Sequence, residues 1–316
     1  MLVFNLSSLF MSILNIYTDY GIITLCLLAL SAFTAGFIDA VVGGGGLIQI
    51  PFLLITFPKM PLPILFGTNK IAALAGTSVA AFKYAKKITF DYKLLFVIAL
   101  SCFVSSFLGA KIVSHIDSNI LKPIILVILI AIAIYTFLKK NLGAHETKEL
   151  PLNKQLLYGT CIGLVVGFYD GFFGPGTGSF FVLGFVVILG FEFVKASAYS
   201  KIVNCITNIS ALIVFINQGN YILQLAFLLA IFNILGSFIG STLALKKGNG
   251  FVRSIFLVIV TIMILKYGYD VLTTYNTWLA SVFISCNIDF SISAYSSSSL
   301  VKQINIISNL CAATES

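Results

Sequence analysis

The chain carries the sequence GFIDAVVGGGG at residues 36–46 and a second version of it, GFYDGFFGPGTG, at residues 167–178. Each stretch places one aspartate, Asp39 or Asp170, within a long apolar region and follows it with a cluster of glycines. Four consecutive glycines, or a Gly-Pro-Gly, do not favour a continuous helix. We therefore expect each apolar region to be interrupted at its glycines, which leaves two discontinuous helices beside two acidic side chains.

The apolar regions around these stretches have the length and composition of membrane spans. Of the 316 residues, 59% are hydrophobic and 9% are charged, whereas a soluble domain carries roughly 25% charged residues. Mean hydropathy is +1.05. Four stretches contain no charge and match or exceed the ~20 residues that cross a bilayer: Tyr20–Ile38, Ala40–Pro58, Gly171–Phe191 and Ile202–Leu245. This composition excludes a soluble enzyme and predicts an all-α polytopic membrane protein.

The net charge of +8 does not indicate a nucleic-acid partner. The basic residues lie in short loops between apolar stretches, as the positive-inside rule describes, and they do not form the clustered patch of a nucleic-acid-binding protein. The six cysteines show no CxxC or other metal-ligand spacing. We therefore expect no nucleic acid, no cofactor and no metal, and the lipid bilayer as one partner.

The two glycine-rich stretches belong to a longer internal repeat. Residues 36–128 align without a gap to residues 167–259, which lie 131 positions further on. The glycine and polar matches are the informative ones: Gly36/Gly167, Asp39/Asp170, Gly43/Gly174, Gly45/Gly176, Lys70/Lys201, Ser106/Ser237 and Gly109/Gly240.

The repeat divides the chain into five parts. They are an N-terminal extension (1–19), transmembrane repeat 1 (20–140), a cytoplasmic linker (141–154), transmembrane repeat 2 (155–272) and a C-terminal tail (273–316). We expect this tail to be peripheral or poorly ordered.

Each repeat contains five apolar elements. They are expected at about 20–42, 46–57, 67–85, 93–113 and 120–138, and at about 155–173, 177–190, 196–216, 221–244 and 251–269. The second element of each repeat is short, so we predict about eight full transmembrane helices plus two short membrane elements. Four full crossings per half would make the repeats parallel, whereas five crossing elements would make them inverted. The positive-inside rule favours inverted repeats, because inversion places Lys246, Lys247 and Arg253 on the cytoplasmic side with the linker.

The interrupted helices are candidate anion-binding elements. Irregular backbone inside a membrane is tolerated where it is buried in protein or lines a cavity, and free N–H groups at a helix start attract an anion. We therefore predict that the substrate contacts Gly43, Gly44, Gly45 and Gly46 in one break and Gly174, Gly176 and Thr177 in the other. The alternative is that these glycines only permit close helix packing.

The two aspartates are candidates for a role in mechanism. An ionisable residue within a membrane is costly and marks a functional site by default. Two roles for Asp39 and Asp170 stay open at this point: each is either a carrier of a coupling proton or an acceptor that caps the broken helix after it.

A second polar group recurs in both halves and contains Asn69 and Lys70 in the first, Lys201 and Asn204 in the second. The spacing puts Lys201, Asn204 and Asn208 on one helix face. We place both lysines at the start of a helix, where a cation is unfavourable for the helix dipole. An anionic ligand or snorkelling to lipid head groups would explain them. Their recurrence favours the ligand, bound by Lys70, Lys201, Asn69 and Asn204.

Taken together, these residues resemble a known family. The string FTAGFIDAVVGGGGLIQIP at 33–51, then Gly67-Thr68-Asn69-Lys70, then GFYDGFFGPGTGSF at 167–180 are similar to the sulfite exporter TauE/SafE family, also called the 4-toluene sulfonate uptake permease family. The resemblance covers roughly residues 20–272. It implies a multi-pass transporter of the cell membrane, the inner membrane of a prokaryote, which moves small anions such as sulfite or organosulfur and sulfonate compounds. The implied mechanism is secondary transport, with proton coupling as one option.

Two other classes were weighed against a transporter. An intramembrane aspartyl protease needs two carboxylates that share a proton, but the sequence lacks the Gly-x-Gly-Asp string of those enzymes, and Lys70 and Lys201 would have no role. A non-transporting membrane scaffold would not need the duplicated polar sites. We therefore expect a transporter and not an enzyme.

Overall fold

The computed structural model of the protein describes residues 6–113, 150–248, 250–252, 254–255 and 258, with side chains described from residue 21 onward. These residues all lie in one compact unit, Met1–Ile264. Within them, every regular element is a helix. The predicted element at 120–138, most of that at 251–269, most of the linker 141–154 and the tail 273–316 lie outside the described residues.

The described residues form eight long or medium-length helices. Their bounds are α1 Leu6–Val42, α2 Gly46–Thr56, α3 Leu62–Ala85, α4 Tyr92–Val113, α5 Leu152–Phe172, α6 Thr177–Val187, α7 Phe193–Asn217 and α8 Leu223–Gly248. Helix α1 is interrupted at Gly21, whose φ is 76°. The extension 1–19, for which the sequence predicted no element, is therefore helical from Leu6 onward.

Five of these helices are long and apolar enough to cross a membrane: Gly21–Val42 of α1, and α3, α4, α7 and α8. Helix α5 has 21 residues but begins with the polar sequence Asn153-Lys154-Gln155 and is not among the five. Helices α2 and α6 have 11 residues each. At 1.5 Å per residue they reach about 16 Å, roughly half of a ~30 Å hydrocarbon core. They are the two short membrane elements that the sequence predicted, and the total of about eight spans stays a prediction.

The two halves of the described chain have matching helix starts. Helices α2 and α6 start at Gly46 and Thr177, α3 and α7 at Leu62 and Phe193, and α4 and α8 at Tyr92 and Leu223. Each of these pairs is separated by the same 131 positions as the sequence repeat. The equal spacing supports a duplicated architecture.

Helices α3 and α7 begin five and three residues before their predicted starts at about 67 and 196. Helix α3 already begins at Leu62, with Pro61 as its N-cap and Pro63 in its first turn. Proline is tolerated there because a first-turn N–H has no intrahelical acceptor to lose. Consequently Lys70 and Lys201 lie more than two turns inside their helices and not at the helix starts. The argument from an unfavourable helix dipole therefore does not apply to either lysine.

Close contacts between helices recur in the two halves. A Cβ atom on Gly109 of α4 would lie 2.3 Å from the carbonyl oxygen of Phe168, and one on Gly240 of α8 would lie 2.4 Å from that of Phe37. Ser106 donates a hydrogen bond to the carbonyl of Thr207, and Ser237 donates one to that of Gly36. Small residues and serine hydroxyls are typical of helix packing in membranes. Here they bring α4 against α5 and α7, and α8 against α1.

The outer faces of these helices are apolar. On α4 the exposed side chains include Leu100, Val104 and Leu108, spaced at one-turn intervals, and on α8 they include Ile231 and Leu235. In water such stripes would be an aggregation liability, whereas lipid is a suitable solvent for them. The polar side chains are instead buried in the interior, where the helix breaks lie.

Candidate functional site

The two helix breaks meet at the centre of the described structure. The first connects α1 to α2 through Gly43–Gly45, and the second connects α5 to α6 through Phe173–Gly176. Gly44 and Gly174 have φ values of 113° and 90°, a region that favours glycine. A Cβ atom on Gly43 would lie 2.4 Å from the Cα of Gly178. The absence of side chains therefore lets the two breaks touch, backbone against backbone.

Two buried ion pairs lie beside the breaks, and each joins one half of the chain to the other. The Nζ atom of Lys70 in α3 is 2.8 Å from Oδ2 of Asp170 in α5. The Nζ atom of Lys201 in α7 is 3.4 Å from Oδ2 of Asp39 in α1. All four residues are at most 9% exposed. Since Asp39 and Asp170 are 131 positions apart, as are Lys70 and Lys201, the two pairs are the same contact exchanged between the halves.

The two ion pairs differ in their hydrogen bonds. Lys70 also donates to Oδ1 of Asn208 at 3.1 Å, and Asp39 accepts from the hydroxyl of Thr77 at 2.9 Å. Lys201 is fully buried, and its ammonium has no hydrogen-bond partner within the described part of the chain. Its 3.4 Å contact with Asp39 is thus an ion pair without hydrogen-bond geometry. The Lys70–Asp170 pair is the tighter and better satisfied of the two.

These ion pairs explain the lysines in a way that the sequence analysis did not consider. Both ammonium groups are buried, so neither lysine snorkels to lipid head groups. A buried charge requires a partner, and in each case the partner is an aspartate of the other half. The signal for this pairing in the sequence is the equal spacing, 131 positions, of two lysines and two aspartates.

The carboxylates lie beside the glycine-rich breaks. Asp39 Oδ1 lies 3.4 Å from the position that a Cβ of Gly178 would take, and Asp170 Oδ1 lies 3.7 Å from that of Gly174. Among the described residues, their hydrogen-bond and ion-pair partners are Lys70, Lys201 and Thr77. A backbone N–H of the following helix is not among these partners. Neither aspartate therefore caps the helix that follows it in the described structure.

A cavity of about 30 Å³ lies where the breaks and the ion pairs meet. Most of the predicted site residues line it: Asp39, Gly44, Gly46, Asn69, Lys70, Asp170, Gly174, Gly176, Thr177 and Asn204. Lys201, Gly43 and Gly45 are not among the lining residues. Gly43 packs against Gly178, and a Cβ on Gly45 would lie 2.3 Å from the carbonyl oxygen of Ala35. For these two glycines the structure shows the close packing that was the alternative interpretation.

Several residues that line the cavity are not among the predicted binding residues. Asn208 lines the cavity together with Phe66, Phe173 and Gly178. The spacing of Asn208 from Lys201 puts both residues on one helix face, and this signal in the sequence was sufficient to select Asn208. The rings of Phe66 and Phe173 meet edge to face with centroids 5.9 Å apart. Nothing in the sequence distinguishes them from the many other phenylalanines of this chain.

We expect the Lys70–Asp170 pair to show strong thermodynamic coupling. Lys70→Gln leaves Asp170 buried without its countercharge, and removing one partner of a buried pair costs about 3–5 kcal/mol. The Lys70→Gln/Asp170→Asn double variant should be less destabilised than the sum of the single variants, by about 0.5–3 kcal/mol. Equilibrium unfolding by SDS titration in mixed micelles measures both quantities.

Lys154→Gln provides the matched control for this cycle, because Lys154 is exposed near the start of α5. Combined with Asp170→Asn, it should give additive changes in the free energy of unfolding, since the two sites are far apart on the same helix. Additive behaviour of Lys70→Gln with Asp170→Asn would contradict the ion pair.

Comparison with known proteins places the chain in a family. The profile of the sulfite exporter TauE/SafE family matches residues 28–267. A probable membrane transporter protein of Haemophilus influenzae is 35% identical over 252 residues, which cover 80% of this chain and 97% of the relative. Another, of a Sinorhizobium species, is 35% identical over 261 residues, with 83% and 98% covered. The probable membrane transporter YfcA of Escherichia coli K12 is 35% identical over 246 residues, with 76% and 87% covered. No solved structure matches the chain. On the strength of the family profile and these near full-length relatives, the chain belongs to the sulfite exporter TauE/SafE family of membrane transporters.

Proposed function

We propose that the protein is a secondary transporter of small anions, with sulfite or organosulfur compounds such as sulfonates as its substrates. The observation that carries the proposal is a cavity at the meeting point of two helix breaks, with Lys70 among its lining residues. Membership of the sulfite exporter TauE/SafE family adds the sulfur oxyanions as a substrate class. The cell membrane is the proposed location.

Lys70 is the residue that we assign to direct contact with the anion. A lysine ammonium has three N–H donors, and Asp170 and Asn208 account for two of them. The third is available to a ligand in the cavity. Gly178, in the first turn of α6, also lines the cavity, where the N-terminal end of the helix dipole favours negative charge. Lys201, which is buried outside the lining, acts in this proposal by holding Asp39 in place.

The proposal predicts that Lys70→Gln weakens anion binding. The substitution keeps polarity and most of the side-chain length but removes the charge. A charge-assisted hydrogen bond of about 1.5–3 kcal/mol corresponds to an affinity loss on the order of 10- to 100-fold. Uptake of radiolabelled sulfite, thiosulfate and sulfoacetate into proteoliposomes measures the half-saturation concentration. It should be higher for the Lys70→Gln variant than for the unmodified protein.

Lys154→Gln is again the control, since it removes a positive charge from an exposed site far from the cavity. It should leave uptake close to that of the unmodified protein. Unchanged half-saturation in correctly folded Lys70→Gln protein would remove Lys70 from the binding site. Absence of uptake of every sulfur oxyanion by the unmodified protein would argue against the proposed substrate class.

Proton coupling through Asp39 or Asp170 gives a separate prediction. Asparagine leaves the partner lysine without its countercharge, so the variant of a purely structural carboxylate should lose stability, and gradient-driven accumulation and exchange should fall together. A proton carrier cannot be replaced by asparagine, because asparagine does not titrate. In a coupled transporter, accumulation driven by a pH gradient should disappear in the Asp39→Asn or the Asp170→Asn variant, while exchange of substrate across the membrane persists.

The measurement compares gradient-driven accumulation with counterflow exchange in the same proteoliposomes. If the Asp39→Asn/Asp170→Asn double variant accumulates substrate as the unmodified protein does, neither aspartate takes part in coupling.

We further propose that the two repeats, 20–140 and 155–272, have inverted topologies. Inversion puts the turn at 217–220 outside the cell and the basic cluster around Lys246 inside, as the positive-inside rule prefers. Gln218 and Lys246 are both exposed and can each be replaced by a single cysteine. With inverted repeats, an impermeant maleimide should label the cysteine at Gln218 in right-side-out vesicles and the cysteine at Lys246 in inside-out vesicles. Parallel repeats predict the opposite labelling at each position. Labelling of the Gln218 position only from the cytoplasmic face would therefore contradict inversion.

A further inference from the structure

We infer that Asn208 is a direct contact of the transported anion, and that its side-chain N–H₂ group donates a hydrogen bond to an oxygen of a sulfonate or related oxyanion. This inference rests on the proposed function, because it adds a binding residue to the same site. It follows from the hydrogen bond between Lys70 and Asn208, from an amide nitrogen without a partner and from a difference between the two halves of the chain.

The orientation of the Asn208 amide is set by Lys70. An asparagine side chain has an accepting end, Oδ1, and a donating end, Nδ2, whereas a lysine ammonium only donates. The Nζ atom of Lys70 lies 3.1 Å from Oδ1 of Asn208. Exchanging the two ends of the amide would place its N–H₂ group against the ammonium, donor against donor. The oxygen of Asn208 therefore faces Lys70, and the N–H₂ group is the end that remains for another partner.

The N–H₂ group of Asn208 has no hydrogen-bond partner within the described part of the protein. Its nitrogen is buried and unpaired there, and the residue as a whole is 3% exposed. A buried donor without an acceptor is rare in native proteins and unfavourable. Since Asn208 is one of the residues that line the cavity, we assign the missing acceptor to a ligand in the cavity.

Lys70 also strengthens this donor. Asp170, Lys70 and Asn208 form a chain of two buried hydrogen bonds, which are 2.8 and 3.1 Å long. Hydrogen bonds in such a chain polarise one another, so an amide whose oxygen accepts from a positive charge is a better donor at its nitrogen. The N–H of Lys70 that Asp170 and Asn208 leave free is a second donor. An oxyanion with several oxygens can accept from both residues.

The matching position in the first half is used differently. Thr77, which lies 131 positions before Asn208, donates its hydroxyl hydrogen to Asp39 at 2.9 Å. A hydroxyl has a single hydrogen, so Thr77 has no donor left for a ligand. Lys201, the counterpart of Lys70, is not among the lining residues of the cavity. Within the described residues, the combination of an ammonium and a free amide at the cavity therefore occurs once, and we expect one anion per chain.

Asn208→Leu tests the contact, because it keeps the approximate shape of the side chain and removes its N–H₂ group together with its oxygen. The probe is methanesulfonate, a small monoanion with acceptor oxygens and no donor of its own. Isothermal titration calorimetry of the full-length protein in lipid nanodiscs, at constant pH and ionic strength, gives its affinity. We expect a stoichiometry of about one for the unmodified protein and an affinity loss on the order of tenfold for the Asn208→Leu variant.

A second background separates contact with the anion from an effect exerted through Lys70. In the Lys70→Gln/Asp170→Asn variant two neutral amides replace the buried ion pair, and glutamine at position 70 retains a donor for Oδ1 of Asn208. A direct contact predicts that Asn208→Leu causes a further loss of affinity in this background. If Asn208 only holds Lys70 in place, Asn208→Leu has no further effect once Lys70 has been replaced.

Asn217→Leu is the matched control, because Asn217 is exposed at the end of the same helix, α7. It should leave methanesulfonate affinity unchanged in both backgrounds. Asn208→Val is measured in parallel, since valine has the shape of the threonine at the counterpart position 77 and lacks a donor. It should reproduce the loss seen with Asn208→Leu. Titration with SDS in mixed micelles verifies that each variant is folded.

The outcomes distinguish this inference from the proposed function. Unchanged affinity in folded Asn208→Leu or Asn208→Val protein would overturn the inference while leaving anion transport intact. A loss confined to the unmodified background, or no measurable binding to the Lys70→Gln/Asp170→Asn variant, would reduce Asn208 to a residue that positions Lys70. If the unmodified protein takes up sulfite but binds no methanesulfonate, the inference fails and the proposed function stands. If it does neither, both fail.

Discussion

The structure depends on the pairing of buried charges across its two halves. Two lysines and two aspartates lie where desolvation would make any one of them strongly unfavourable alone. Each lysine faces an aspartate from the other half, so the charges both neutralise one another and join the halves at their centre. The helices that carry these charges must therefore stay close enough for each lysine to remain within contact distance of its aspartate.

The glycines make this arrangement sterically accessible. At Gly43 and Gly178 the two breaks approach so closely that a single Cβ atom would clash with backbone. Gly174 leaves the space beside its break to a charged pair, since a Cβ there would lie 3.6 Å from Nζ of Lys70 and 3.7 Å from Oδ1 of Asp170. The same residues interrupt the helices and admit the side chains that fill the interior. Helix breaking and close packing, which were treated as alternatives in the sequence, are both present at different glycines of one cluster.

Much of the fold was predictable from the sequence because it follows from local rules. The glycine clusters end α1 and α5 and start α2 and α6 within a residue or two of the predicted positions. Helix α3 starts five residues before its predicted position, because Pro61 and Pro63 resemble a loop in sequence although proline is acceptable in a first helical turn. Most of the cavity lining was identified from the repeat, but the lysine–aspartate partners were not. Pairing depends on which helices are adjacent in space, and hydropathy does not encode that.

The exchange of ion pairs between the halves has a consequence for the origin of such a chain. A protein consisting of one half alone would contain one aspartate and one lysine, each of which here finds its partner only in the other half. Two copies of that half, arranged as the halves are arranged here, would complete both pairs at once. In its ion pairing, the chain thus has the arrangement that a symmetric dimer of one half would have.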